Sequence, residues 1–94
     1  MDARTRREHA RGTIIKVLVA EYPNPVDSFL LQKLLDDFGV TVDSDALDSY
    51  LAYLEEDDYV TRDTTRAGIT IVRATKKGCN LRDGYIKDPG VEVN

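Results

Sequence analysis

The side chains able to do chemistry in this chain are mainly charged ones and tyrosines, and the charges are sorted by sign. Residues 1–16 carry Arg4, Arg6, Arg7, Arg11 and Lys16 against Asp2 and Glu8, a net of +3. Residues 21–58 carry eleven carboxylates against Lys33 alone, a net of −10. Residues 59–87 carry Arg62, Arg66, Arg73, Lys76, Lys77, Arg82 and Lys87 against Asp63 and Asp83, a net of +5. The overall charge of −4 hides these blocks, and the blocks decide which partners are attracted. Arg4, Arg6, Arg7, Arg11, Arg62, Arg66, Arg73, Lys76 and Lys77 could hold the phosphates of duplex DNA, along the backbone or in a minor groove. Asp45, Asp48, Glu55 and Glu56 could dock a basic partner protein, with Tyr53 as an aromatic anchor. Asp36, Asp37, Asp43, Asp57 and Asp58 extend that acidic surface. The bland alternative for the charged side chains of both sets is a solvated surface, and for Tyr53 it is packing on the edge of the hairpin.

Catalysis is not expected. His9 is the one histidine and has no obvious fixed carboxylate partner. Cys79, beside Lys76 and Lys77, has neighbours that lower a thiol pKa, but a small core residue is the simpler reading. Asp57–Asp58 lacks the alternating ligands and central glycine of a calcium loop. No phosphate loop, nucleophile elbow or His/Cys metal spacing occurs. The expectation is a non-enzymatic protein with no cofactor and no metal. A lone cysteine cannot form an internal disulfide. No apolar run approaches the roughly 20 residues of a membrane span, and Met1–Arg11 is too polar for a secretory leader. One soluble intracellular domain over residues 1–94 is expected.

Helices and strands must place these groups. The central segment is Asp43–Thr75. Asp43 is a candidate N-cap, and Leu47, Tyr50, Leu51 and Leu54 recur as one buried helix face. Tyr59–Arg62 and Ile69–Arg73 are β-rich runs around a turn at Asp63–Gly68. Upstream, Ile14, Val17, Leu18 and Glu21 share one face of a first helix, and Ile15, Val19 and Tyr22 form a second apolar edge. That edge is either covered by the C-terminal segment or pairs two copies as a homodimer. Gly12 weakens a helix, so ordered helix is expected from Thr13, with residues 1–12 either a frayed start of that helix or a basic, mobile arm. Pro23 and Pro25 stop the helix, and Val26 suits a short strand. Asp27 or Ser28 caps a second helix with Leu30, Leu31, Leu34, Leu35 and Phe38 inward, and Gly39 suits its C-terminal cap. Thr75 caps a short fourth helix, and 85–94 reads as an extended tail packed only in part.

The order predicts an α+β, mostly helical, winged helix-turn-helix of three helices, a β-hairpin wing and a short C-terminal helix. The recognition helix would start at Asp43. Its solvent face offers Ser44, Asp45, Asp48, Ser49, Ala52, Tyr53, Glu55 and Glu56, with no basic residue. Such a face repels phosphates. DNA contact is therefore expected through wing and arm.

The pattern Gly39…Val42–Asp43…Leu47…Leu51–Ala52–Tyr53–Leu54, Tyr59–Val60, Ala74–Thr75–Lys76–Lys77–Gly78, Gly84 and Pro89–Gly90–Val91 resembles a family of small winged-helix proteins of Mu-like bacteriophages and prophages. The resemblance runs from about Ile14 to Val93. It implies a winged helix, with Asp43–Glu56 in the recognition position and Tyr59–Thr75 as the wing. It also implies a phage accessory or regulatory role in a bacterial cytoplasm, and it assigns no functional residues. Ser44, Asp45 and Asp48 depart from the basic or amide side chains usual in DNA-reading members of the fold.

Overall fold

A computed structural model describes residues 2–93. The elements run α1 (Ala3–Glu21), β1 (Val26–Asp27), α2 (Ser28–Asp37), α3 (Ser44–Glu56), β2 (Val60–Thr64), β3 (Thr70–Ala74) and α4 (Lys76–Arg82). This is a small α+β domain of four helices and one three-stranded antiparallel sheet, order β1-β3-β2. Val26 pairs with Val72, and Arg62 also lies opposite Val72.

Side-chain caps start all four helices. Asp2, Asp27, Asp43 and Thr75 each accept a backbone N–H three residues on, from Thr5, Leu30, Ala46 and Gly78. Each satisfies a donor that a helix leaves orphaned. Three helices, α2, α3 and α4, end in the same way, α4 at Gly84 (φ 86°) with Gly84 N–H donating to Leu81 and Tyr85 N–H to Asn80. Val40 N–H donates to Leu35 and Gly39 N–H to Asp36; Tyr59 N–H donates to Leu54 and Asp58 N–H to Glu55. Gly39 and Asp58 take the left-handed conformation, with φ 80° and 64°. This termination turns the chain back; after α2 and α3 the next residue goes inward, whereas Tyr85 after α4 stays exposed. Val40 and Tyr59 are accordingly buried.

The core is Ile14, Ile15, Leu18, Leu31, Leu35, Leu51, Leu54, Val60, Val72 and Leu81, all almost fully enclosed. Several expectations change here. The first helix does not begin at Thr13; it begins at Ala3 and runs through Gly12. Met1 lies outside the described residues, Asp2 caps the helix, and residues 3–12 are helix and not a separate arm. Both apolar edges of α1 are used inside the chain. Ile15 is fully buried and Val19 half-buried, because α1 packs on α2, α3 and α4. Ile15 and Val19 of the second apolar edge are thus covered in whole or in part, whereas Tyr22 at its end is exposed. Leu30 and Phe38, expected inward, are exposed. The buried arc of α2 centres on Leu31 and Leu35, so Leu30 falls outside it, and the turn at Gly39 sends Val40 inward in place of Phe38.

The tail is anchored more firmly than expected. Val91 is buried, and Glu92 N–H donates to the Glu8 carbonyl at 3.0 Å. Gly12 sits where the tail crosses α1. A Cβ there would overlap the Glu92 carbonyl. The helix accepts a glycine's conformational cost at this point in exchange for that close approach.

Candidate interaction surfaces

The sequence brings Arg62 into the wing, and strand geometry decides where it points. Side chains alternate across a strand, so Arg62 shares the inward face of Val60. It therefore stands against α3. Its Nη1 lies 2.7 Å from Asp48 Oδ1 and its Nη2 3.0 Å from Glu55 Oε1. Nε also donates to Glu55 at 3.3 Å. Asp48 and Glu55 are two helical turns apart, so one extended guanidinium spans both. Burial works against the charge of Arg62, but the hydrogen bonds to Glu55 and Asp48 outweigh it and hold the proton more tightly than usual. Arg62 thus neutralises part of the acidic helix. As placed, it is not a free phosphate contact.

A second assembly joins α1, α3 and the tail. The Arg11 guanidinium lies over the Tyr53 ring, 3.8 Å from its centroid, and 5.9 Å from that of Tyr50. Its Nη1 donates to the Gly90 carbonyl at 3.1 Å. Stacked cation–π contacts of this kind hold a guanidinium in a partly dry setting. Nε of Arg11 is buried without an acceptor among the described residues. Asp88 organises the tail side. It accepts from the Tyr59 hydroxyl at 2.9 Å, the Tyr53 hydroxyl at 3.3 Å and Gly90 N–H at 2.8 Å. Burial, then the hydrogen bond to Asp88, push the Tyr59 phenol far above its ordinary range. Burial first and the Asp88 charge second raise Tyr53 as well. Tyr53 is therefore half-buried inside the molecule. Its ring faces Arg11 and its hydroxyl faces Asp88.

The other cations fall into three places. Arg4, Arg6 and Arg7 are exposed on the first turns of α1, Arg4 paired with Glu8 at 3.1 Å. Arg66 is exposed in the turn between β2 and β3. Arg73, on the outer face of β3, and Lys76 and Lys77, in the first turn of α4, are exposed near the foot of the hairpin. Lys77 donates to the Asp57 carbonyl at 2.8 Å and lies 5.0 Å from the Tyr59 ring centroid. Of the nine expected phosphate contacts, four are engaged within the chain: Arg11 and Arg62, Arg4 with Glu8, and Lys77 with the Asp57 carbonyl. The rest do not form one cluster.

On α3, Asp45, Asp48 and Glu56 are exposed and Glu55 is half-buried under Arg62. With Ser44, Ser49 and Ala52 they make an outer stripe without a basic side chain. Arg62 borders it on one side and Tyr50 and Tyr53 on the other. Phe29 is exposed beside the helix start, in a groove shared with Ser44, Asp48 and Thr70.

Cys79 is half-buried. His9, expected in a mobile segment, is half-buried in α1. Among the described residues no group of three or more His, Cys, Asp or Glu side chains could hold a metal ion. No helix of the described residues is long and apolar enough to cross a membrane.

No protein-family model matches the chain, and no curated protein matches it.

Alternation from Val60 could have put Arg62 on the inner face of β2, but it could not name Asp48 and Glu55 as its partners. No local signal announced Asp88 or the burial of Arg11. Their partners lie 29 to 79 residues away in the chain.

Proposed function

We propose a winged-helix domain that works as a non-enzymatic accessory protein through protein contact, presenting the outer face of α3 to a basic partner. The order helix, short strand, two helices, hairpin, with β1 beside β3, supports the winged-helix reading. The resemblance to small proteins of Mu-like phages supplies the setting, a regulatory role in a bacterial host. One observation carries the choice of partner. Arg62, the wing arginine beside α3, is taken by Asp48 and Glu55. Asp45, Ser49 and Glu56 are exposed, and the two carboxylates make no ion pair among the described residues. A phosphate backbone laid on that stripe would be repelled, whereas Lys or Arg side chains of a protein would be attracted.

A second reading has its own support. Arg66, Arg73 and Lys76 are exposed and make no ion pair among the described residues. They could hold a DNA backbone from the wing side while α3 stands clear.

Fluorescence anisotropy with generic duplex DNA separates the two. At low and at physiological salt, the expected result is no salt-steep binding. Binding that falls steeply with salt and is lost in Arg66→Glu/Lys76→Glu would overturn the protein-contact reading. Affinity capture from the host, with Asp45→Lys/Glu56→Lys beside the wing variant, then identifies the partner. The α3 variant is expected to lose it and the wing variant to keep it.

A further inference from the structure

The turn that closes α2 leaves a knob and a hollow side by side. The knob is Phe38, 62 % exposed although it follows directly on α2. Asp36 and Asp37 beside it are exposed carboxylates. The hollow begins one residue further on. It is a concavity of about 390 Å³ between α1 and the segment Gly39–Val42, with Arg6, His9, Val40, Val42 and Tyr50 among its walls. Phe38 does not fill it, since its ring remains largely in solvent. The knob carries negative charge at its base. The hollow carries positive charge at its mouth, because Arg6 is exposed and makes no ion pair among the described residues.

We infer that this surface pairs two copies of the chain about a two-fold axis, Phe38 of each copy entering the hollow of the other. The geometry favours a second copy over an unrelated partner. A knob and a hollow of opposite charge on one face are what a self-complementary contact requires, each residue meeting its counterpart twice. An exposed aromatic entering a partly apolar pocket, with charges at the rim, is the usual form of an interface anchor. Reciprocal pairs of Arg6 with Asp36 and Asp37 would fix the register and make association sensitive to salt. This contact is distinct from the apolar edges of α1, which are buried apart from Val19 and Tyr22, and from the outer face of α3, which stays free for another partner.

Sedimentation velocity over a range from low to high micromolar protein, at low and physiological salt, tests the pairing. A reversible dimer that weakens with salt is expected. Phe38→Ser should raise its dissociation constant about tenfold or more. The ring is exposed, so the fold should survive. Arg6→Asp and Asp37→Arg should each weaken the dimer, and the double variant should restore it. Asp45→Lys should leave it unchanged, so its behaviour is separable from the proposed α3 contact. A monomer at every concentration in low salt would overturn the inference. So would a dimer indifferent to Phe38→Ser, one that the double variant fails to restore, or growth beyond a dimer.

Discussion

Asp88 shows how much one side chain can hold together in a domain this small. Its carboxylate joins the tail to α3 through Tyr53 and to the entry of β2 through Tyr59. Those phenols are neutral donors, and burial beside a carboxylate keeps them neutral. The consequence for stability has a definite sign. An unfolded tyrosine ionises near pH 10, and the folded Tyr59 ionises only above that. Its contribution is complete below about pH 10 and is lost as pH rises from there towards the folded value. Urea unfolding at pH 8 and near pH 11 should therefore show a falling midpoint. Tyr59→Phe should lower stability at pH 8 by about 1 kcal/mol, the net worth of a hydrogen bond, and flatten the alkaline decline. An equal alkaline slope in that variant would show that Tyr59 is not the group responsible.

Among the elements, α1 is the one whose sequence pattern misleads. Helix propensity treats Gly12 as a break and the arginines before it as an arm. The strong cap at Asp2, the burial of Ala10 and the tail hydrogen bond at Glu8 hold the first turns in place. In an exposed helix Gly12→Ala would stabilise by about 1 kcal/mol. Here the added methyl meets the Glu92 carbonyl. The expected result is destabilisation by about 1–3 kcal/mol, as in overpacked sites. Thermal unfolding reads the sign, and faster hydrogen exchange at the Glu92 amide would locate the damage. A rise in melting temperature would mean that the tail does not cross at Gly12 in solution. The other helices were more legible, because an aspartate or threonine cap followed by leucines at helical spacing is a local pattern. Even there, α2 kept Leu30 and Phe38 outside. Periodicity names the apolar positions, but the packing partners decide how wide the buried arc becomes.

At the scale of the whole molecule, the ends of the chain meet. Residues 88–92 close over α1 by backbone pairing, by burial of Val91 and by the Arg11–Gly90 contact. A chain ending at Lys87 would lose all three. Burial of one valine is worth about 1.5–3 kcal/mol, and in a domain of this size 1 kcal/mol moves the melting temperature by about 4–8 °C. Truncation should therefore lower it by more than about 5 °C and loosen the first turns of α1, visible as lost protection at residues 8–12. An unchanged melting curve would make the tail a passenger. Charge is also settled at this scale. The acidic block of residues 21–58 and the basic blocks around it were plain in the sequence. Some of those opposite charges, Arg62 with Asp48 and Glu55, cancel inside the fold, while Asp45, Glu56, Arg66 and Arg73 do not.

What the sequence determined by itself is the element order, the starts of α2, α3 and α4, the glycine at the end of α2, and the acidic character of α3. These depend on interactions between near neighbours, which a linear pattern records. Only the tertiary structure decided that Arg11 is stacked on Tyr53, that Arg62 is spent on α3, and that Asp88 ties down two tyrosines. It also decided that Gly12 is a crossing point rather than a break. Each of these depends on which distant segment arrives at a given face. That choice is made by packing the whole core at once, and no local spacing encodes it.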